Sequence, residues 1–270
     1  MLFDTHAHYD HVRFQDDRDA LLSQMPNNGV GRILNAACDL DSAAASQRLA
    51  EQYPYVYMAA GIHPHESAKA PSDWVDVLKT YLQDEKCVAI GEIGLDYHHD
   101  FSPRETQLQL FDRQMALAAE TGLPVIIHER EALTDTLQML RKYQGQVTGI
   151  FHCFSNSVET ARIVLNLGYL IALGGTVTFK NAHHAPLVAA YTPADCLLVE
   201  TDCPYMAPVP VRGQRNDSTF LHYTVEKIAA LRGQSFEEVA TKTYQNACRF
   251  LNIPEENDRP DCTEERDRKI

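Results

Sequence analysis

Short apolar runs in this chain end, again and again, on a histidine or a carboxylate. Leu2-Phe3 leads into Asp4-Thr5-His6-Ala7-His8, residues 56–62 into His63-Pro64-His65, and residues 87–91 into Glu92. Val125-Ile126-Ile127 leads into His128, Gly149-Ile150-Phe151 into His152, and residues 196–199 into Glu200-Thr201-Asp202. A strand buried on both faces reads as such a run, and a parallel barrel puts every strand C-terminus on one face. Side chains distant in sequence then converge on one bowl, which is how a binuclear metal hydrolase is built.

Strand patterns at residues 2–6, 32–37, 56–62, 88–93, 124–128, 149–154, 169–174 and 197–201 alternate with helical spacing. The helical segments are 18–25, 42–52, 74–82, 104–121, 134–143, 157–167 and 183–191, followed by a last block at 221–231 and 236–251. About eight such alternations predict an α/β fold, a (β/α)8 TIM barrel in a single domain. Gly29, Gly122 and Gly168 sit where helix C-caps are wanted, and Ser157 with Asp41 or Ser42 where N-caps are. An open doubly wound sheet would need a Gly-rich phosphate turn after its first strand, and none is present. The barrel is expected over residues 1–253, with a charged, loosely ordered tail at 254–270.

Composition narrows the setting. The chain has 270 residues, within the range of one barrel, and a formal net charge of −13, unlike a protein that coats nucleic acid. That charge leaves room for an enzyme that grips phosphates through metal ions and a few local arginines. No apolar stretch approaches the roughly 20 residues that span a bilayer, so no membrane partner is expected. The start of the chain lacks a basic-then-apolar leader, and the 7 cysteines form no C-x-x-C pair. A cytoplasmic location with reduced thiols is expected, Cys87, Cys153 and Cys196 serving as small core residues.

His6 and His8, two apart at a strand end, can reach one ion. Glu92 directly follows an apolar run, where an unpaired carboxylate would be costly; coordination removes that cost, and its two oxygens can serve two cations. His128 and His152 each close a run. Asp202 can bind a metal and take a proton from the attacking water, while Glu200 is expected as a supporting carboxylate. His63 and His65 can contact substrate, and His63 can protonate a leaving group. Arg130, two residues past His128, faces the same bowl, and with Arg212 and Arg215 it can grip phosphate oxygens. Trp74 is expected to be packing.

These motifs, taken in order, resemble the TatD family of metal-dependent deoxyribonucleases, within the amidohydrolase-like barrels. The resemblance runs to about Ile253. It rests on Asp4-Thr5-His6-Ala7-His8, Gly61-Ile62-His63-Pro64-His65, Gly91-Glu92-Ile93-Gly94-Leu95-Asp96-Tyr97, Ile127-His128-Glu129-Arg130, His152-Cys153-Phe154-Ser155, Glu200-Thr201-Asp202-Cys203-Pro204-Tyr205 and Arg212-Gly213-Gln214-Arg215-Asn216. It implies two divalent ions per subunit, Mg, Mn or Zn, one held by His6, His8, Glu92 and Asp202 and the other by Glu92, His128 and His152. Asp202, Glu92 and His63 would be catalytic. There are departures: Asn156 stands for the family's usual Gly, and since Asn tolerates left-handed backbone better than most residues the turn is expected to survive; Gln214 and Ser218 stand for Lys and Pro. The latter two are expected to remove a cation and loosen the late loop.

The expected function is phosphodiester hydrolysis in DNA, 3′-5′ exonuclease action on single-stranded ends as the resemblance suggests, or on a small phosphodiester. The alternative is a binuclear amidohydrolase acting on a small amide, lactone or phosphoester. Many such relatives bridge their metals with a modified lysine after the fourth strand, where this chain has Glu92. A barrel retained only for binding would have lost a ligand, and none is missing.

Overall fold

The computed structural model describes residues 1–255. Eight parallel strands pair in sequence order: β1 (Leu2–Ala7), β2 (Val30–Ala36), β3 (Val56–Ala60), β4 (Cys87–Asp96), β5 (Val125–Arg130), β6 (Gly149–Phe151), β7 (Tyr169–Leu173) and β8 (Leu197–Val199). Between and after them, among the described residues, run α1 (Arg18–Ser23), α2 (Leu40–Gln52), α3 (Trp74–Tyr81), α4 (Arg104–Thr121), α5 (Leu133–Lys142), α6 (Val158–Asn166), α7 (Ala185–Tyr191), α8 (Leu221–Arg232) and α9 (Phe236–Phe250). No described helix is long and apolar enough to cross a membrane. The expected tail lies almost wholly outside the described residues.

The two edge strands meet, which distinguishes a nearly closed barrel from an open sheet. Ala7 bridges Cys203 in parallel. Asp202 N–H donates to the His6 carbonyl at 2.9 Å and His8 N–H to the Cys203 carbonyl at 2.9 Å. Asp4, fully buried on β1, accepts from Thr201 N–H (2.9 Å), Thr201 Oγ1 (2.6 Å) and Ser218 Oγ (2.6 Å). These bonds tie β1 to the segment that follows β8 and satisfy a carboxylate that would otherwise be costly inside. Burial nonetheless dominates its titration and raises its pKa to about 7, against the lowering effect of those donors.

Strand alternation sorts the core into layers. Phe3, Leu34, Ala59, Val88, Ile126, Ile150, Leu170, Ala172 and Leu198 form one buried cluster inside the barrel, floored by Tyr244, Ala247 and Cys248 of α9 and by Leu251 just after it. The larger cluster, which includes Ile90, Val125, Ile127, Phe151, Ile171 and Val199, lies between strands and helices. Each such aliphatic side chain contributes roughly 1.5–3 kcal/mol on burial. The inner row continues upward with period two: Ile126 leads to His128 and Arg130, Ile150 to His152, Leu198 to Glu200. The site therefore stands directly on the inner core.

Several boundaries differ from expectation. β8 stops at Val199, so Asp202 does not end a strand; it lies three residues beyond, with φ 57°. The N-cap of α2 is Asp39, which accepts from Ser42 N–H in a reciprocal capping box, because Ser42 is needed at the third helical position. Ser157 caps α6 as expected. Cys87 is buried, but Cys153 and Cys196 are only partly so: Cys153 has left the strand for the bowl, and Cys196 sits in a short 3-10 turn before β8. Trp74 is buried at 3% exposure with the Arg113 guanidinium 4.9 Å from its ring, a packing role.

Candidate metal centre

Every donor of the expected set arrives on the C-terminal face of the barrel. His6 and His8 come from β1 and its end, Glu92 and Asp96 from β4, His128 from β5, and His152 from the end of β6. His6, His8, His63, Glu92 and His152 are buried, whereas His128 and Asp202 are partly open to solvent. Glu92 stands at the centre. Its Oε2 lies 3.3 Å from His6 Nε2 and 3.7 Å from His8 Nε2. Its Oε1 lies 2.7 Å from His128 Nδ1, 2.8 Å from His152 Nε2 and 3.6 Å from His63 Nε2. One carboxylate thus divides its oxygens between two groups of imidazoles. Asp202 faces both, with Oδ1 3.4 Å from His8 Nε2 and a carboxylate oxygen within 4.8 Å of His6 and His152 nitrogens.

The protonation of this cluster argues for cations. His8 Nδ1 lies 2.8 Å from the Ala36 carbonyl, which can only accept, so in the neutral ring the lone pair sits on Nε2. That lone pair faces His6 Nε2 at 3.1 Å. The His6 ring stacks on His152 with centroids 3.9 Å apart, and His6 Nδ1 has no hydrogen-bond partner. Burial and the His152 imidazole lower the His6 pKa; burial and His128 hold that of His63 well below its usual value. Burial opposes charge on Glu92 too, but His152, His63 and His6 outweigh it and hold its pKa well down. Burial opposes charge on His8, His128 and His152 as well, but the acidic groups around them outweigh it and raise their pKa values. Carboxylates among inward-aimed imidazoles, whose protons a cation would displace, make a donor set that suits a first-row divalent ion. His6, His8 and Glu92 form one group able to hold such an ion, His6, His152 and Asp202 a second, and His63, Glu92 and His128 a third. The geometry brings His63 closer to the ligand set than a purely substrate-facing role required.

Supporting groups are equally specific. Glu200, fully buried, accepts Cys153 N–H at 2.6 Å and lies 3.6 Å from His152 Nδ1, the supporting position expected of it. Asp96 carries no role in the sequence reading, yet it is the hub of the second side. Its Oδ2 lies 3.3 Å from His128 Nε2, 2.7 Å from His65 Nε2 and 3.0 Å from His99 Nδ1. Its Oδ1 accepts the His98 and His99 N–H groups at 3.0 and 2.9 Å. Burial disfavours its charge, but these donors win and keep it fully ionised. The signal was available, since Asp96 lies four residues past Glu92 on one strand and so shares its face.

The arginines divide. Arg215 donates to both Asp17 oxygens at 2.7 and 2.6 Å, which engages its fork away from the bowl. Arg130 and Arg212 have no carboxylate partner among the described residues. His65 is held by Asp96 with the exposed Phe101 against its ring. Of the expectations about the departures at Asn156 and Ser218, the turn at Asn156 holds and the loosening at Ser218 fails. Asn156 is not left-handed; Cys153 is (φ 44°), and Asn156 instead donates to Glu129 Oε2 at 2.7 Å. Ser218 does not loosen its loop. It is buried, its N–H donates to Tyr9 OH at 2.9 Å, and its hydroxyl donates to Asp4. Proline has no N–H to make the first of these bonds.

Comparison with known proteins agrees with this geometry. The family model "TatD related DNase" matches residues 3–252. The chain is 39% identical over 254 residues to YabD of Bacillus subtilis, an uncharacterized metal-dependent hydrolase, covering 94% of this chain and 100% of that protein. It is 33% identical to the 3′-5′ ssDNA/RNA exonuclease TatD of Pantoea vagans, covering 91% of this chain and 97% of that one. The crystal structure of YjjV, a TatD homologue from Escherichia coli, superposes with a TM-score of 0.88 at 33% identity, over 94% of this chain and 98% of the other. With a single barrel matched almost end to end, the chain belongs to the TatD family and is a metal-dependent hydrolase.

Proposed function

We propose that this hydrolase cleaves phosphodiester bonds in nucleic acid, removing nucleotides from single-stranded DNA ends, with two divalent ions bound at the bowl. The observation that carries the reading is the division of Glu92 between two imidazole groups, Oε2 toward His6 and His8, Oε1 toward His128 and His152. His6, His8, Glu92 and Asp202 would hold one ion, and Glu92, His128 and His152 the other. Such a pair supplies Lewis acidity toward a phosphoryl oxygen and makes water acidic enough to attack at neutral pH. The name of the Pantoea vagans relative supports a nucleic-acid substrate.

The chain's own residues supply the remaining work. Asp202, ionised and partly open to solvent, accepts the proton of the attacking water. Its charge is disfavoured by burial but held by the neighbouring His8, His152 and His6 imidazoles. His63 stands 3.6 Å from Glu92 Oε1 at the edge of the cluster, placed to meet the departing oxygen. His65, fixed by Asp96, and Arg130 border the opening and bind the substrate's phosphate oxygens.

The test is a substrate panel on metal-reconstituted protein: single-stranded DNA, duplex DNA, RNA, a generic phosphodiester and a cyclic amide. The expected result is release of nucleotides from single-stranded DNA, abolished by EDTA and restored by Mg or Mn. Hydrolysis of the cyclic amide with every phosphodiester left intact would overturn the reading.

A further inference from the structure

A cavity of about 330 Å³ opens on the same face as the metal centre, between the loops that follow β6, β7 and β8. Its walls include Ser155, three residues past His152, Thr176 and Phe179 from the turn after β7, Asn181 and His183 beyond it, and Arg212 from the loop after β8. Among the described residues, no aspartate or glutamate lines this cavity. The comparable cavity beside α2 is bordered by Asp39, Asp41 and Glu66.

Arg212 is held in an unusual way. Its guanidinium lies 3.8 Å from the centroid of Phe179, so its plane is fixed by the ring. No carboxylate lies within salt-bridge distance of it among the described residues, whereas Arg104 and Arg215 are each paired with an aspartate. The loop carrying it is anchored, since Val209 N–H donates to Thr178 Oγ1 at 2.9 Å and buried Asn216 donates to the Thr201 and Tyr205 carbonyls at 2.8 and 2.7 Å. A pre-oriented guanidinium with free edge donors, beside two hydroxyls, an amide and an imidazole, is a receptor for an anionic oxygen cluster. A nucleobase fits less well, because one face of the guanidinium is already covered by Phe179.

We propose that this cavity is a phosphate subsite that takes the phosphodiester next to the one at the metal centre. It rests on the phosphodiesterase reading and adds to it a direction for the strand, which leaves the bowl across β7 and β8. Arg212 grips the neighbouring phosphate by its edge, and Ser155, Thr176 and Asn181 donate to the remaining oxygens. In a chain of net charge −13, such a local grip replaces long-range attraction.

The experiment compares native protein with Arg212→Gln on two substrates. One is the p-nitrophenyl ester of thymidine 5′-phosphate, which has one diester and no neighbour. The other is an oligothymidylate, prepared also with a single neutral methylphosphonate next to the cleaved linkage. The ratio of kcat/KM for the oligonucleotide to that for the small diester should fall about tenfold in Arg212→Gln, the scale of one charge-assisted contact. The methylphosphonate should impose the same loss on native protein and no further loss on the variant. A fluorescein-labelled oligothymidylate in EDTA gives a readout without turnover, and its binding should weaken in the variant with a shallower salt dependence. An unchanged ratio and unchanged binding, with oligothymidylate still cleaved, would overturn the subsite alone. Failure of native protein to cleave any oligonucleotide would overturn the nucleic-acid reading and the subsite together.

Discussion

At the scale of single residues, the side chains that share one hole in the barrel constrain each other more tightly than their separate positions suggest. Asp202 shows this most directly. It carries a left-handed φ of 57°, and its N–H is bound to the His6 carbonyl, so its carboxylate is placed by the β1 seam and not by β8. Asp202→Asn keeps the size but removes the proton acceptor. Turnover should fall by at least about 10²-fold, the scale of a lost general base, with far-ultraviolet circular dichroism unchanged. Excess metal should not restore it; recovery at saturating Mn would show that Asp202 acts only by holding an ion. The six expected donors were readable because each closes an apolar run. The spacing of Asp96 from Glu92 puts both on one face, but its partners His65, His99 and His128 lie on three different segments, and nothing local in the sequence announces that meeting.

At the scale of elements, β4 and β5 do the most to set the centre. Gly94 pairs with His128 in register, and its φ of 143° is open to glycine alone. A Cβ there would collide with the His128 carbonyl oxygen. Gly94→Ala should therefore force the two strands apart where they present Glu92 and His128. Backbone strain of this kind costs about 1–3 kcal/mol before any steric displacement, and each kcal/mol moves Tm by roughly 2–4 °C at this size. A drop of roughly 5 °C or more is expected in melts run in EDTA, so that metal loss does not contribute; an unaltered melt would show that the strands yield at no cost. Element type and order were legible from the runs themselves. The ends were not: β8 gives way after three residues because Thr201 N–H turns to the Asp4 carboxylate and the backbone at Asp202 and Cys203 crosses to β1.

At the scale of the whole molecule, an acidic protein whose bowl is lined by imidazoles and carboxylates should bind substrate through few and local contacts. Arg130 and Arg212 are available, while Arg215 is tied to Asp17. Each phosphate contact to a single strand contributes about −0.7 to the slope of log affinity against log salt, so two predict a slope of roughly −1.4. Single-stranded ends should be cleaved faster than a blunt duplex, since a terminus enters the bowl and an intact duplex lies across it. Hydrolysis of both, side by side over a salt series, checks this. Faster cleavage of duplex, or no salt dependence for either, would move the reading toward a small-molecule hydrolase.

The chain's linear pattern was enough to specify a parallel barrel, because strands buried on both faces must be apolar throughout and must end where polar groups are allowed. It also picked out the residues that meet at the bowl, because a charged or imidazole side chain at such an end needs a reason to be there. Tertiary structure alone decided how they are shared. That Glu92 divides its oxygens, that Asp96 gathers three imidazoles, that Ser218 and Asp4 close the seam, and that Arg212 lies free on Phe179 while Arg215 does not are all consequences of which strand ends stand side by side. Hydrogen bonds and ion contacts depend on ångström separations between groups up to about two hundred residues apart, such as Asp4 and Thr201, and only the closing of the barrel sets those.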